Sequence, residues 1–477
     1  MKLNRLTLTK ALTLLKKKEI SLSELYKDIH EVIEEDNSKY NIYLSIDNEA
    51  IRKAELAKDK PLAGIPIAVK DNFLTVGLKT TAASNVLREF MPPFDSTVTR
   101  RLKEAGGVVI GKTNMDAWAH GSSTETSAFG ATKNPRNPEY LPGGSSGGSA
   151  AAIASDMCIV AIGSETAGSI RQPSAWCGVV GLKPTYGRVS RAGVVPMGSS
   201  LDSPGPIGKT VEDCATLLSF IAGKDRYDAT TSPQQVPDFT KNMKKAVKGM
   251  RIGICYVDHL KLKGSDAART VEQAGKVLEK LGASVEKVAV SKTLKKNHIF
   301  NPDYAIAVYT VVQRSEVSSN LAGYHGIRYD KGRAFFGEEA KRRIMLGTFT
   351  LSKGYADRYY LTAQKVRSLY IQNYQELFQT YDVLLAPTSP GYAQKLGATA
   401  GNPMYGELED MLLEPSTISG LPGISVPCYQ DPKTNLSIGL NIMSNYWQEE
   451  KMIQVAYAFE QATEWNSWTV REQKEKI

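Results

Sequence analysis

Residues 142–154 read PGGSSGGSAAAIA and consist almost entirely of glycine, serine and alanine. Four glycines surround Ser145 and Ser146, where the missing Cβ atoms permit a strained or cis backbone. A helix of small residues is predicted to begin near Ser149. A glycine loop in front of a helix can also bind phosphate at the helix N-terminus, and this alternative stays open here.

The residues around this stretch have a similar composition, but they are not expected to form a flexible linker. Residues 141–210 are rich in glycine, serine and proline, which is typical of flexible linkers. They also contain the apolar runs AAAIA, CIVAIG and GVVGL, which need burial. We therefore expect an ordered core with glycine where the backbone approaches its neighbours closely.

Short apolar runs, separated by glycine and helical stretches, continue on both sides. They cover residues 65–69, 108–110, 159–162 and 383–386. Residues 250–290 add a strand, a helix over 267–281 and a second strand. This alternation predicts an α/β fold, an α/β/α sandwich with a mixed central β-sheet.

The N-terminal region has apolar residues at helical spacing and predicts two helices. The second helix opens with Ser21 and Glu24, which can form a capping box. We therefore predict an N-terminal helical layer, residues 1–60, packed on one large domain, residues 61–477. A peripheral lobe is expected around residues 226–345.

Length and composition exclude several classes of protein. A chain of 477 residues with 42% hydrophobic content can bury a large core. The apolar stretch 150–162 is interrupted by Ser155 and Asp156 and is too short to span a membrane. The apolar run 11–15 is also too short for a signal peptide. We therefore expect a cytoplasmic protein without a membrane segment.

The reactive and charged residues give little support to metal or direct nucleic-acid binding. Five scattered cysteines without a CxxC pair predict reduced thiols, and five histidines without HExxH spacing predict no metal site. The net charge of +9 is spread along the chain. Its short basic runs, 16–18 and 341–343, are more typical of solvated helix faces than of a tRNA site.

One pattern for a nucleotide site is expected to be accidental. Gly106, Gly111, Lys112 and Thr113 fit GxxxxGKT, the pattern of a phosphate-binding loop. Residues 108–110 between the glycines are Val, Val and Ile, which favour a strand. The loop itself would then be a strand and could not wrap around phosphates.

Two further segments carry candidate catalytic side chains. Lys70 ends the apolar run in GIPIAVKDN. A lysine there is often a surface residue, but burial would lower its pKa and leave a neutral amine that acts as a general base. In GSETAGSIRQPSAWCG, residues 163–178, a turn of small residues ends at Ser169. Its successive backbone N–H groups can point at one oxyanion.

Together the three segments resemble the amidase signature family, whose hallmark is a Ser, cis-Ser, Lys triad in GGSSGGSAA and a following GGSIRxP. The resemblance covers nearly the whole chain, from LAGIPIAVKDN to GLPGISVPC. It implies Ser169 as nucleophile, Ser145 as proton relay and Lys70 as base. It also implies an oxyanion hole in the backbone of Thr166, Ala167 and Gly168.

Within that family, SSNLAGYHGIRYD and RRIMLGTFTLSKGYADRYY are most similar to the glutamine-hydrolysing subunits of tRNA-dependent amidotransferases. This implies a heterotrimer with partner subunits B and C, which use the ammonia to convert Glu-tRNA(Gln) to Gln-tRNA(Gln). ATP, Mg²⁺ and most tRNA contacts are then expected in the partners, with no cofactor in this chain. The similarity also implies that Arg367 and Asp410 hold the charged ends of glutamine, with Tyr329 in the same pocket.

The chain departs from the family pattern at four places. Ala167 replaces a commoner glycine, MDAWAHG a commoner MDEFAMG, and DMLLEPSTISG the usual DxxTxPxNLAG. The segment between Tyr329 and Arg342 is shorter than usual. Two alternatives to the amidotransferase role stay open: a stand-alone amidase that acts on small amides, and a non-catalytic scaffold. The complete set of Lys70, Ser145 and Ser169 disfavours the scaffold.

Overall fold

One mixed β-sheet of eleven strands runs through the chain, in a computed structural model that describes residues 2–289, 299–324 and 330–464. The order of strands across the sheet is β1-β3-β2-β4-β6-β5-β10-β11-β9-β7-β8. The strands are β1 (Tyr43–Ile46), β2 (Pro66–Lys70), β3 (Val108–Thr113), β4 (Val160–Glu165), β5 (Val180–Lys183), β6 (Ser203–Gly208), β7 (Arg251–Ile254), β8 (Ser284–Lys287), β9 (Val383–Pro387), β10 (Gly423–Gln430) and β11 (Ser437–Ser444).

Helices connect many of these strands, which confirms the predicted α/β class. The described helices are α1 (Leu8–Lys16), α2 (Leu22–Tyr40), α3 (Ala50–Ala57), α4 (Thr97–Glu104), α5 (Gly147–Ala154), α6 (Arg171–Cys177), α7 (Val211–Ile221), α8 (Asp266–Lys280), α9 (Pro302–Asn320), α10 (Glu338–Leu351), α11 (Thr362–Thr380), α12 (Tyr405–Asp410), α13 (Glu414–Ile418) and α14 (Glu449–Gln461).

The apolar runs of the sequence became strands, as predicted. The four runs correspond to β2, β3, β4 and β9, and residues 250–290 form β7, α8 and β8. In β2, β3, β4 and β9 every residue is buried. Complete burial explains why these strands read as continuous apolar runs rather than as alternating apolar and polar residues.

The register of the sheet brings the end of β2 next to the end of β4. Strand β2 lies between β3 and β4 and is parallel to both, with Val69 opposite Ile162 of β4. Because parallel strands end at the same edge of a sheet, Lys70 and the residues that follow Glu165 lie at one edge. The candidate site is built at this edge.

The N-terminal helices pack on the rest of the chain. Helix α2 begins with the predicted capping box, in which Ser21 and Glu24 each bond the other's backbone N–H. The Tyr26 hydroxyl donates to the carbonyl of Gly64 at 2.9 Å, and the N–H of Leu8 donates to Asp213 at 2.8 Å. The predicted boundary near residue 60 stays a prediction, and β1 on its N-terminal side pairs with β3 in the central sheet.

The GxxxxGKT pattern lies on a strand, as expected from its sequence. Residues 108–113 form β3, and Lys112 is completely buried. Its ammonium donates to Asp71 at 3.1 Å, to the carbonyl of Phe73 at 2.8 Å and to Thr80 at 2.9 Å. These bonds occupy all three of its protons, so Lys112 has a structural role.

All five cysteines are free thiols, in agreement with the prediction of reduced cysteines. Among the described residues, no group of three His, Cys, Asp or Glu side chains could hold a metal ion. In the same part of the chain, every helix is too short or too polar to cross a membrane.

Candidate active site

Lys70 is buried at the end of β2, and its ammonium nitrogen faces Ser145. The Nζ atom lies 2.8 Å from Ser145 Oγ and 3.0 Å from the carbonyl oxygen of Ser164. Burial lowers the pKa of Lys70 to about 7, although the carboxylates of Asp116 and Asp202 act in the opposite direction. Near neutral pH this lysine can therefore accept a proton from Ser145.

Ser145 is held by a loop whose glycines are required by close neighbours. The peptide bond between Gly144 and Ser145 is cis. A Cβ on Gly144 would lie 2.5 Å from the backbone nitrogen of Ser123 and 2.1 Å from a carboxylate oxygen of Asp116, so no other residue fits there. The N–H of Gly144 donates to the side chain of Gln172 at 3.0 Å, and the N–H of Asp116 donates to the carbonyl of Ser145 at 3.3 Å.

Ser169 lies in the turn that joins β4 to α6, beside the Ser145 loop. The N–H of Ser146 donates to the carbonyl oxygen of Ser169 at 3.1 Å, which connects the two segments directly. Ser169 is buried, with 4% of its surface exposed. The structure thus brings the segments of Lys70, Ser145 and Ser169 together, as the sequence predicted. Their catalytic roles stay predictions.

The backbone of the same turn presents a group of free donors. Within residues 2–289, 299–324 and 330–464, nothing accepts a hydrogen bond from the N–H of Ala167, Gly168 or Ser169. All three residues are buried, and buried N–H groups without a partner are rare. Ala167 is outside the positive-φ region, so its side chain causes no backbone strain. Successive backbone donors without an acceptor are well suited to binding an oxyanion.

The carboxylate of Glu165, at the end of β4, stabilises this turn. Its Oε2 accepts from the N–H groups of Ile170 and Arg171, each at 3.1 Å, and its Oε1 lies 2.6 Å from Arg171 Nη2. Both partners of this ion pair are completely buried. At the start of the turn, the Thr166 hydroxyl donates to Asp202 at 2.6 Å. The backbone donors are therefore held in place on both sides.

Asp410 stands next to the turn, where a substrate group could reach it. Its Oδ2 accepts from the Ser122 hydroxyl at 2.7 Å, whereas its buried Oδ1 has no hydrogen-bond partner among the described residues. A Cβ on Gly168 would lie 2.3 Å from Oδ1, so the carboxylate is in contact with the turn. Burial raises the pKa of Asp410 well above its usual range. A cationic group bound here would satisfy Oδ1 and lower that pKa.

Arg367, the other predicted binding residue, uses its guanidinium in bonds to the protein. It donates to the carbonyl of Ile418 at 2.6 Å and to the hydroxyl and carbonyl of Ser200, each at 2.9 Å. Its side chain is half-buried and ties α11 to the end of α13. No direct contact between Arg367 and Asp410 is found. Tyr329, the third predicted binding residue, lies outside the described residues.

A cavity of about 490 Å³ has Ser122 in its lining. Its walls include His120, Arg343, Tyr405 and Glu407, all buried, and each has a polar atom without a hydrogen-bond partner in the described part of the chain. Burial and the nearby charge of Arg343 lower the pKa of His120 well below its usual range, so the imidazole is neutral. His120 belongs to MDAWAHG, one of the departures from the family pattern, and no motif in the sequence indicated this cavity.

The chain matches one known protein family over most of its length. A family model described as Amidase matches residues 24–453, which is most of the chain and includes every described site residue. The chain belongs to the amidase family. The family predicted from the three motifs is therefore confirmed, and the mixed sheet has the amidase fold.

Amidases of one kind are similar to this one over their whole length. The A subunit of glutamyl-tRNA(Gln) amidotransferase from Halothermothrix orenii is 46% identical, covering 97% of this chain and 98% of that protein. The protein of the same name from Prochlorococcus marinus is also 46% identical, covering 94% and 96%.

Solved structures agree with these sequences. The crystal structure of the A subunit of glutamyl-tRNA(Gln) amidotransferase from Thermotoga maritima is 39% identical, with a TM-score of 0.81, and covers 96% of this chain and 95% of that one. A 6-aminohexanoate cyclic dimer hydrolase has a TM-score of 0.87 at 25% identity, covering 98% of each chain. The same fold is thus found in proteins with different named activities.

The residues that stabilise the turn were not predicted from the sequence. Glu165 precedes the turn directly, but nothing in its neighbourhood indicates that it accepts two backbone N–H groups. Thr417 bonds the carbonyl of Ala167 at 2.6 Å across 250 residues of chain. Only the family pattern could have pointed to Thr417, and the chain departs from that pattern there.

Proposed function

We propose that this amidase is the glutamine-hydrolysing subunit of a tRNA-dependent amidotransferase. The observation that carries the proposal is the 2.8 Å contact between a lysine of lowered pKa, Lys70, and Ser145, beside the turn whose N–H groups are free among the described residues. The full-length similarity to A subunits of glutamyl-tRNA(Gln) amidotransferase supports glutamine as the substrate.

The first half of the reaction transfers the acyl group to the enzyme. Neutral Lys70 takes a proton from Ser145, which takes one from Ser169, and Ser169 Oγ attacks the side-chain amide carbon. Backbone N–H groups between Thr166 and Ser169 stabilise the oxyanion that forms. Lys70 and Ser145 then return the proton to the leaving nitrogen, and ammonia departs.

The second half releases glutamate. A water molecule gives a proton to Ser145 and Lys70 and attacks the ester carbon at Ser169, and the Ser169 oxygen takes the proton back as it leaves. Asp410, whose Oδ1 lies free beside Gly168 in the described part of the chain, is placed to bind the ammonium of the substrate. Arg367 is proposed to bind its carboxylate, together with Tyr329.

The ammonia is proposed to be used by partner subunits B and C of a cytoplasmic heterotrimer. ATP, Mg²⁺ and most of the tRNA contacts are assigned to the partners, so no cofactor is proposed for this chain. The names of the similar proteins, which are subunits of an amidotransferase for Glu-tRNA(Gln), support this assignment.

A stand-alone amidase is the second candidate function. The 6-aminohexanoate cyclic dimer hydrolase has the same fold over nearly its whole length and favours this candidate. Such an enzyme would hydrolyse small amides without partners and would not need to pass on ammonia. Its 25% identity is well below the 46% of the amidotransferase subunits.

Transfer of the amide nitrogen tests the proposal. The full chain, purified with the subunits that accompany it, is given Glu-tRNA(Gln), ATP, Mg²⁺ and glutamine labelled with ¹⁵N at the amide. We expect the label in Gln-tRNA(Gln). Ser169→Ala should abolish this transfer, while free ammonium salts should still support tRNA amidation because the partners are intact. Rapid hydrolysis of glutamine and simple amides by the chain alone, with no labelled tRNA, would favour the stand-alone amidase.

A further inference from the structure

Thr417 contacts the turn that carries the candidate nucleophile. Its hydroxyl donates to the carbonyl oxygen of Ala167 at 2.6 Å. Because a trans peptide unit is planar, the N–H of Gly168 points opposite to the carbonyl of Ala167. The carbonyl is drawn toward Thr417, so the N–H of Gly168 is aimed at the other side of the turn.

The next peptide unit of the turn is oriented in the same way. The carbonyl of Gly168 accepts from the N–H of Gln172 at 2.8 Å, so the N–H of Ser169 points away from α6. This second bond is part of the helix start and does not depend on a side chain. Among the described residues, a side-chain hydroxyl directs the Gly168 donor and none directs the Ser169 donor.

The direction of the Thr417 hydroxyl proton follows from its neighbours. Arg171 Nη2 donates to Thr417 Oγ1 at 2.9 Å, and a hydroxyl has only one proton to donate. The carbonyl of Ala167, at 2.6 Å, is nearer than the carbonyl of Leu413 at 3.2 Å and the carboxylate of Glu165 at 3.3 Å. The proton therefore lies between Thr417 and Ala167.

The contact is also shielded from water and fixed in place. Thr417 is 1% exposed, and the Arg171 that donates to it is paired with buried Glu165. Arg171 Nη1 adds bonds to Ser416 at 3.2 Å and to Asn441 at 3.1 Å. Because every group in this network is buried, the orientation of the Gly168 N–H is set before substrate binds, as electrostatic catalysis requires.

We propose that Thr417 is a positioning residue that orients the Gly168 N–H toward the oxyanion formed at Ser169. The proposal rests on the proposed function in one respect, since it takes Ser169 to be the nucleophile. Thr417 touches neither the substrate nor the reacting atoms. It acts only through the backbone of Ala167 and Gly168, and its effect is confined to the transition state.

Four proteins test this role: the wild type, Thr417→Val, Thr417→Ser and Ser419→Ala. Valine keeps the shape of threonine without the hydroxyl, and serine keeps the hydroxyl. Ser419 is the matched control, because its buried hydroxyl donates within the same segment, to the carbonyl of Pro415 at 2.8 Å. Each full chain is assayed with its co-purified subunits, and near-UV circular dichroism checks the fold.

Loss of a donor that stabilises only the transition state should lower kcat and leave KM unchanged. We expect Thr417→Val to lower kcat for glutamine by about ten- to hundred-fold, somewhat less than outright removal of an oxyanion donor. Thr417→Ser and Ser419→Ala should stay within about twofold of the wild type. A merely structural defect would not be restored selectively by serine.

A boronic acid analogue of glutamine gives a second measurement. Its boron accepts an electron pair from Ser169 Oγ and becomes tetrahedral, with one oxygen in the place of the oxyanion. Thr417→Val should weaken this inhibitor by about the factor by which it lowers kcat. An unchanged inhibition constant, or a valine variant with the kcat of the wild type, would overturn the proposal.

The assay also separates this proposal from the proposed function. Acylation of Ser169 by p-nitrophenyl acetate releases p-nitrophenolate in a burst and requires no glutamine. A wild type that shows the burst but does not hydrolyse glutamine contradicts the proposed substrate and leaves the role of Thr417 open to the same comparison. A burst rate equal in wild type and Thr417→Val contradicts the role of Thr417, whatever the natural amide is.

Discussion

Lys70 controls the proposed reaction through its charge. Its pKa is lowered to about 7 by burial, so the neutral amine predominates above that pH. We expect kcat/KM for glutamine to rise about tenfold per unit of pH below 7 and to become constant above it. Lys70→Arg should be nearly inactive at every pH, since a guanidinium does not give up its proton in this range. Initial rates between about pH 5.5 and 9 measure both effects.

A second buried lysine provides the control for this profile. Burial lowers the pKa of Lys183 to about 7 as well, but its Nζ donates to the carbonyl of Pro184 and not to either serine. Lys183→Met should therefore keep the pH profile of the wild type. Loss of the pH dependence in Lys183→Met, with the profile preserved in Lys70→Arg, would show that Lys70 is not the base.

Asp410 and Arg367 make different predictions for substrate binding. Asp410→Asn keeps the shape and the bond to Ser122 but removes the charge, so we expect KM for glutamine to rise at least about tenfold. Arg367→Ala should also raise KM if its guanidinium turns from Ser200 to the substrate. A variant with an unchanged KM and a lower melting temperature would show that Arg367 only joins α11 to its neighbours.

Sequence motifs predicted the candidate catalytic residues, which lie in recognisable segments. They did not predict the residues that stabilise the turn beside them. Lys70 and Ser145 stand in recognisable segments, and the structure places them in contact. Thr417 stabilises the turn from 250 residues away along the chain. Glu165 is near Ile170 and Arg171 in sequence, but its bonds to their N–H groups form only in the folded turn. A single sequence contains no signal for such contacts, since the residue types involved are common at the surface.

The connection from β4 to α6 depends on a buried ion pair. Glu165 and Arg171 are both completely buried, and each is the principal partner of the other. Because the loss of one partner leaves a buried charge, Glu165→Ala should lower the free energy of unfolding by about 3 to 5 kcal/mol. Urea unfolding measures it. Glu49→Ala removes an exposed ion pair with Arg52 and should change stability by less than about 1 kcal/mol.

The elements found from the sequence are those with strong apolar patterns or clear caps. Strand β2 and the start of α2 at Ser21 are examples. Strand β6 was not identified, because its sequence, SPGPIG, contains two prolines and two glycines, which disfavour strands. It forms because β4 and β5 lie on either side of it and supply the hydrogen bonds. Its existence is therefore a property of the sheet and not of the segment.

At the scale of the molecule, the sheet brings distant parts of the chain to one site. Lys70 comes from β2, Ser169 follows β4, and Thr417 lies in α13, which precedes β10. Strand order places β4 and β10 on opposite sides of β6 and β5. No periodicity in the sequence predicts this strand order. The motifs could therefore be recognised from the sequence, whereas the distances between them could not be derived.

The buried lysines should also affect the stability of the whole molecule. An unfolded chain holds a proton on Lys183 up to about pH 10.5, whereas the folded chain loses it above about pH 7. In this window the unfolded state binds more protons, so the contribution of Lys183 to stability becomes more favourable as pH rises. Below about pH 7 the free-energy cost of burying the charged Lys183 is constant, and above about pH 10.5 this cost disappears.

Comparison of wild type with Lys183→Met isolates this contribution. The raised pKa values of buried thiols and phenols change stability in the opposite direction at alkaline pH, but these groups are common to both proteins and cancel in the difference. We expect Lys183→Met to be more stable than wild type at pH 7. The difference in the free energy of unfolding between Lys183→Met and wild type should shrink by about 1.4 kcal/mol per pH unit between about pH 7.5 and 9.5. This slope is the one expected when the unfolded state binds one more proton than the folded state. Urea midpoints at five pH values measure it, and a difference that does not vary with pH would show that Lys183 stays charged in the folded protein.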